Sequence, residues 1–318
     1  MQFTCIYIYK EVINLLKKIV LFIGILSILL TLSACKSISN SNTTANDNGK
    51  LNVVVSFNAM REFVSAIGKD KVNITTMIPN GTEPHEFDPK IKDFQTLSSA
   101  KVFVYNGLGM EKWADKAVQS VGNKDLVAVE ASKGADAIKN SDPSSVKENG
   151  EYDPHLWLSL KGAELESNNI KDALVKADPK NKDYYEKNYT DFKNQLESLY
   201  NDYKSKLDTL PNKSFVTGHA AFAYLCRDFD LKQNSVEDVF AEGEPSSQQM
   251  EKLINYCKEN NIKTIFVEDM VSPKVSNTLA KEVGAKAEKI YTVESTEDNK
   301  DYIQSMRANL DEIYNSLK

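Results

Sequence analysis

Apolar positions along this chain recur in two rhythms. Short β-branched and aromatic runs at Leu51–Phe57, Val72–Ile78, Lys101–Tyr105 and Leu126–Val129 are separated by helix-like stretches, Met60–Ile67 and Asp93–Ser99 among them. Strands alternating with helices imply βα units and a mostly parallel sheet. A helix is predicted to begin near Leu160. The second half repeats the rhythm: a strand at Ser214–Thr217, a helix over His219–Phe229, a helix over Ser246–Asn260 and a buried strand at Lys263–Val267. Ser272–Val283, a strand at Glu288–Val293 and an amphipathic helix at Lys300–Ser316 complete it. The fold class expected is α/β, in two βα lobes.

Between the halves lies the strongest helical pattern. Asp178-Pro179 supplies an N-cap and a first-turn proline. Tyr185, Tyr189, Phe192, Leu196, Leu199, Tyr203, Leu207 and Leu210 follow at spacings of three and four, and Pro211 stops the run. A helix from Pro179 to Thr209 would be on the order of 45 Å long, enough to run down the side of both lobes. A free coiled coil would continue the pattern for more heptads with paired e/g charges.

The N-terminus follows a different logic. Lys17 and Lys18 precede Ile19–Leu32, an uncharged run shorter than the roughly 20 apolar residues that span a bilayer but suited to a signal core. It ends Leu32-Ser33-Ala34-Cys35, which resembles a lipobox and makes Cys35 the expected lipidation site. Residues 36–50 are almost wholly polar and read as a flexible tether. The expected division is a signal over 1–34, a tether over 35–50, lobes over 51–177 and 211–318, and a linking helix over 178–210. A net charge of −6 with no basic stripe disfavours a nucleic-acid partner. Cys226 and Cys257 read either as buried thiols or as one disulfide.

The chain has only three histidines, His85, His155 and His219, set 70 and 64 positions apart. No two can share a helical turn, so they meet across the tertiary fold or not at all. Ligands in open α/β sheets gather at the carboxyl ends of strands. His85 follows the second predicted strand, His219 directly follows Ser214–Thr217, and His155 lies in a Pro-bounded loop before the Leu160 helix. Glu294, after Glu288–Val293, is a fourth candidate, with Glu297 and Asp298 close enough to compete. Asp153 and Glu86 are candidates for orienting an imidazole, and Trp113 and Trp157 read as packing.

Four segments carry a resemblance in their order and spacing. They are Gly81-Thr82-Glu83-Pro84-His85-Glu86-Phe87-Asp88-Pro89, Asn106-Gly107-Leu108-Gly109-Met110-Glu111-Lys112-Trp113, Asp153-Pro154-His155-Leu156-Trp157-Leu158-Ser159 and Phe215–Leu225. With Glu242-Gly243-Glu244-Pro245-Ser246 and Ile265-Phe266-Val267-Glu268, they resemble the zinc- and manganese-binding lipoproteins of bacterial ABC importers, the cluster A-I solute-binding proteins. The resemblance implies two βα lobes joined by a long rigid helix, with one metal in the inter-lobe cleft. It implies His85, His155, His219 and a carboxylate, best placed at Glu294, as ligands. It also implies an extracytoplasmic capture protein, lipid-anchored to the cell membrane, that delivers metal to a permease driven by a separate ATPase; a monomer is expected.

Three imidazoles and one carboxylate suit tetrahedral Zn²⁺. Mn²⁺ prefers more oxygen, and manganese-type members usually show a carboxylate at the place of His219; Mn²⁺ stays open as the alternative cargo. Ala131–Glu151 lacks the histidine-rich loop of many zinc-type members. Zinc takes neutral imidazole, so affinity is expected to fall below about pH 6 with a slope approaching three protons. A zinc hydrolase is disfavoured, because Pro89 breaks the H-E-x-x-H pattern begun at His85 and a bound carboxylate closes the position that catalytic zinc leaves to water. A surface adhesin is a further alternative, although adhesion alone needs no four-ligand pocket.

Overall fold

Two four-stranded sheets, each wholly parallel, organise the chain. The computed structural model describes residues 49–140, 146, 150–239, 245–269 and 272–318. The predicted signal segment, the tether through residue 48 with Cys35, and Glu242, Gly243 and Glu244 lie outside the described residues. The first sheet holds β1 (Leu51–Val55), β2 (Val72–Thr76), β3 (Val102–Tyr105) and β4 (Val127–Glu130) in the order β2-β1-β3-β4. The second holds β5 (Ser214–Thr217), β6 (Lys232–Ser235), β7 (Thr264–Val267) and β8 (Lys286–Lys289) in the order β6-β5-β7-β8. Each order reverses direction beside its first strand, which opens a crevice at the carboxyl ends.

Around the sheets lie α1 (Asn58–Gly68), α2 (Ile91–Ser98), α3 (Ala114–Val121), α4 (Leu160–Ala177), α5 (Lys182–Asp208), α6 (Ala223–Phe229), α7 (Ser247–Glu259), α8 (Pro273–Val283) and α9 (Tyr302–Ser316). Their ends follow local chemistry. The Ser159 hydroxyl accepts from Gly162 N to cap α4, and reciprocal Ser246/Gln249 and Asp301/Gln304 pairs cap α7 and α9. The long helix differs from expectation only at its start. Pro179–Asn181 forms a 3₁₀ turn, and the Asp178 carboxylate accepts from Asn181 Nδ2 and the Tyr185 hydroxyl at 2.7 and 2.8 Å. The α-helix then runs about 40 Å, burying Phe192, Leu196, Leu199, Tyr203 and Leu207.

One hydrophobic cluster runs from Val54 and Phe103 through Leu174, Leu196 and Leu199 to Phe215, Phe266, Met306 and Leu310. A smaller cluster of Val216, Ile265, Leu253 and Leu279 fills the opposite face of the second sheet. Alternation along β5 and β7 separates the two: Phe215 and Phe266 enter the large core, Val216 and Ile265 the small one. The second sheet is therefore welded to α5 and α9 by its inner face.

Four elements depart from the sequence pattern, the first being the helix expected over His219–Phe229, which starts at Ala223 and leaves His219 in the turn after β5. Strand β6 is Lys-Gln-Asn-Ser at a sheet edge, where no apolar run is needed and no hydrophobic signal exists. Helix α3 is short and gave no cue among its flanking glycines. The strand expected at Glu288–Val293 lies earlier, at Lys286–Lys289, so Glu294 does not directly follow it. Beyond Ile290, the Tyr291 backbone pairs with the Asn309 side chain of α9 at 2.8 and 2.7 Å, and Thr292 O accepts from Trp157 Nε1 at 2.7 Å. The apolar run thus enters the inter-lobe core instead of the sheet. Cys226 and Cys257 are separate buried thiols.

Candidate metal centre

His85, His155, His219 and Glu294 come together in the cleft, with one donor atom from each lying within 4.8 Å of the others. The Nε2 atoms of His85 and His155 are 3.2 Å apart, and those of His155 and His219 are 3.4 Å apart. Zn–N bonds of about 2.0–2.1 Å in a tetrahedron set nitrogens about 3.3–3.4 Å apart. Glu294 Oε1 stands 3.9 Å from His155 Nε2. Two nitrogen separations at that spacing, with all four donors within 4.8 Å of one another, leave room for one small cation. His155, His219 and Glu294 are buried and His85 is half-buried, at the mouth. Glu297 and Asp298 instead face Lys289, at 3.3 and 3.2 Å.

Each candidate ligand is held from behind. His155 Nδ1 donates to Asp153 Oδ1 at 2.9 Å, which leaves its Nε2 lone pair facing inward. Asn106 Nδ2 donates to Pro154 O at 2.9 Å, while the amides of Asn106 and Gly107 donate to Glu111. Gly107 has φ +92°, and a Cβ there would meet Glu130 Cγ at 2.4 Å. The Asn106–Trp113 segment therefore shapes the turn that aims His155. Trp157 packs its ring 5.1 Å from His155 and 4.9 Å from Phe57.

His219 rests on Glu268, whose Oε1 accepts from His219 N at 3.2 Å and lies 3.6 Å from Nδ1. A Cβ at position 218 would sit 2.0 Å from Glu268 Oε2, so glycine permits this approach. Glu83 Oε1 accepts from His85 N at 3.1 Å, whereas Glu86 is exposed. Pattern reading missed Glu268, although it stands at the carboxyl end of β7 and position alone could have marked it. Thr292, which donates to Glu294 Oε2 at 2.7 Å, carried no such signal.

The electrostatics divide the four residues. Burial, reinforced by the neighbouring imidazoles (His155 and His219 at His85, His219 at His155), holds His85 and His155 well below the ordinary histidine range, so both are neutral near pH 7. Burial alone would depress His219 too, but the Glu268 carboxylate, 3.6 Å from its Nδ1, and the charges of Glu294 and Glu83 prevail and raise it to about 9. Burial and the Glu83 charge raise Glu294 to about 8 against the pull of His219 and Thr292. The protons a cation must displace near pH 7 are those of His219 and Glu294. With His85 and His155 already neutral, proton competition at the site is expected to come chiefly from His219 and Glu294.

Paired parallel α/β sheets with a buried imidazole-rich donor set at their strand ends define a two-lobed metal-binding protein. Residues 53–316 match the family described as zinc-uptake complex component A, periplasmic (ZnuA). The chain belongs to this family, whose members are solute-binding components of uptake systems and not enzymes. It is 38% identical over 300 residues to the high-affinity zinc uptake system protein ZnuA of Bacillus subtilis, covering 91% of this chain and 94% of that one. The laminin-binding adhesin of Streptococcus agalactiae superposes with a TM-score of 0.77 at 35% identity, over 84% of this chain and all of that one. The Zn(II)-bound ZnuA-like domain of Streptococcus pneumoniae AdcA gives a TM-score of 0.73 at 33% identity, over 85% and 99%.

Proposed function

We propose that this protein captures Zn²⁺ outside the cytoplasm in the His85–His155–His219–Glu294 site and hands it to an ABC permease driven by a separate ATPase. The convergence of three histidine nitrogens, with His155 at tetrahedral-edge spacing from both His85 and His219, carries the reading. Nitrogen-rich donors favour Zn²⁺ over Mn²⁺, and four protein donors leave no open position for hydrolytic water. In this reading residues 51–177 and 211–318 are the two lobes, 178–210 the strut, and the protein acts as a monomer tethered by lipid on Cys35. Elemental analysis of purified protein, followed by Zn²⁺/Mn²⁺ competition, is expected to give one tightly held zinc per chain. Less than stoichiometric zinc after loading, or preference for Mn²⁺, would overturn the cargo assignment. Anchoring is tested separately: Cys35→Ala is expected to accumulate as precursor or be shed, and normal membrane retention at mature size would refute the lipid anchor.

The likeness to a laminin-binding adhesin supports one added reading, attachment to a host matrix protein. Binding of the folded part to immobilised laminin, with and without zinc, tests it; background-level binding in both states would discard it.

A further inference from the structure

Glu294 is unlike the other three site residues in having two donor atoms to offer, and the structure treats them differently. Oε1 lies on the site side, 3.9 Å from His155 Nε2, with no protein hydrogen-bond partner. Oε2 accepts from the Thr292 hydroxyl at 2.7 Å, and Thr292 is fully buried. The backbone here is locked from the other lobe. Trp157 Nε1 donates to Thr292 O at 2.7 Å, and Asn58 Nδ2 donates to Val293 O at 3.3 Å and Ser295 O at 3.0 Å. Between them Val293 has φ +60°, a conformation a β-branched residue adopts only under constraint.

We propose that Thr292 is a specificity-determining residue that presents Glu294 to the metal through one oxygen. This rests on the four-residue site proposed above. A carboxylate pinned by one hydroxyl, on a backbone clamped at Thr292, Val293 and Ser295, cannot easily turn both oxygens toward one cation. Single-oxygen ligation completes a four-coordinate set, which suits Zn²⁺. A freed carboxylate could chelate through both oxygens and raise the coordination number and oxygen share, which suits Mn²⁺. The hydroxyl thus selects for zinc without touching it.

The test compares the unaltered protein with Thr292→Val, which keeps the side-chain shape, Thr292→Ala, and Thr292→Ser, which keeps the hydroxyl. Zn²⁺ and Mn²⁺ affinities are measured by chelator competition, and coordination by the visible absorption of bound Co²⁺, which is strongest when four-coordinate. The Mn²⁺-to-Zn²⁺ affinity ratio is expected to rise about tenfold or more in the Val and Ala variants. Their Co²⁺ absorption should weaken, and Thr292→Ser should restore both readings. A ratio within about twofold of the unaltered protein, with unchanged Co²⁺ absorption in whichever of Val or Ala folds, overturns the proposal. His155→Ala run alongside separates the two readings: undiminished Zn²⁺ affinity there rejects the site itself.

Discussion

At the scale of single residues, burial assigns different tasks to the three imidazoles. His85 and His155 are kept neutral, whereas His219 is held protonated chiefly by Glu268. Zinc binding at pH 7 is therefore expected to release protons although two histidines are already neutral. The sign follows from raised values: His219 near 9 and Glu294 near 8 carry protons below those pH values, and apparent affinity climbs as pH rises toward them. Isothermal titration in buffers of different ionisation enthalpy counts those protons; no release at pH 7 would contradict the assignment. Replacing Asp153 or Glu268 by Ala should weaken zinc binding by about 10–100-fold, and replacing His155 by Ala by more. The histidines were legible because the chain has only three. Thr292 was not, since its role depends on which oxygen of Glu294 it meets.

At the scale of elements, α5 and α9 carry the load between lobes. Leu199 is fully buried on α5, and Leu199→Ala is expected to cost about 2–5 kcal/mol in urea unfolding. Tyr302 opens α9 with its hydroxyl donating to Trp157 O at 2.6 Å and its ring 4.9 Å from Phe63. Tyr302→Phe keeps the ring but leaves that buried carbonyl unpaired, for an expected loss of about 1–3 kcal/mol in the same measurement. The strut was readable because its apolar spacing is long and unbroken. Strand β6 was unreadable because a polar edge strand is specified by the neighbour it pairs with.

At the scale of the molecule, the continuous core predicts that the described lobes unfold together. A single thermal transition is expected, raised by zinc by about 2.7 kcal/mol at a free concentration 100 times Kd. Two resolved transitions would contradict the shared core. Glu166, buried on α4 with no protein hydrogen bond to either oxygen, is a second whole-molecule lever. Burial, then the charge of Glu111, raises its pKa well above the ordinary range. The folded state therefore holds a proton the unfolded chain gives up above about pH 4.3, so this group costs stability as pH rises from there. Glu166→Gln removes the penalty and is expected to stabilise progressively more toward neutral pH in thermal unfolding, whereas a constant offset would show that Glu166 is not the titrating group.

The sequence by itself determined what is local or periodic: two βα halves, the strut, two histidines just after predicted strands and a third in a Pro-bounded loop. These follow from side-chain spacing and backbone preference within a few residues. Tertiary structure decided the rest. It drew 291–293 out of the sheet because Trp157, Asn58 and Asn309 claim that backbone from distant parts of the chain. It placed Glu294 among the histidines and sent Glu297 and Asp298 to Lys289. It also set which imidazole keeps a proton, because burial and charge at a point depend on every element packed around it, whereas the pattern along a chain records only its neighbours in sequence.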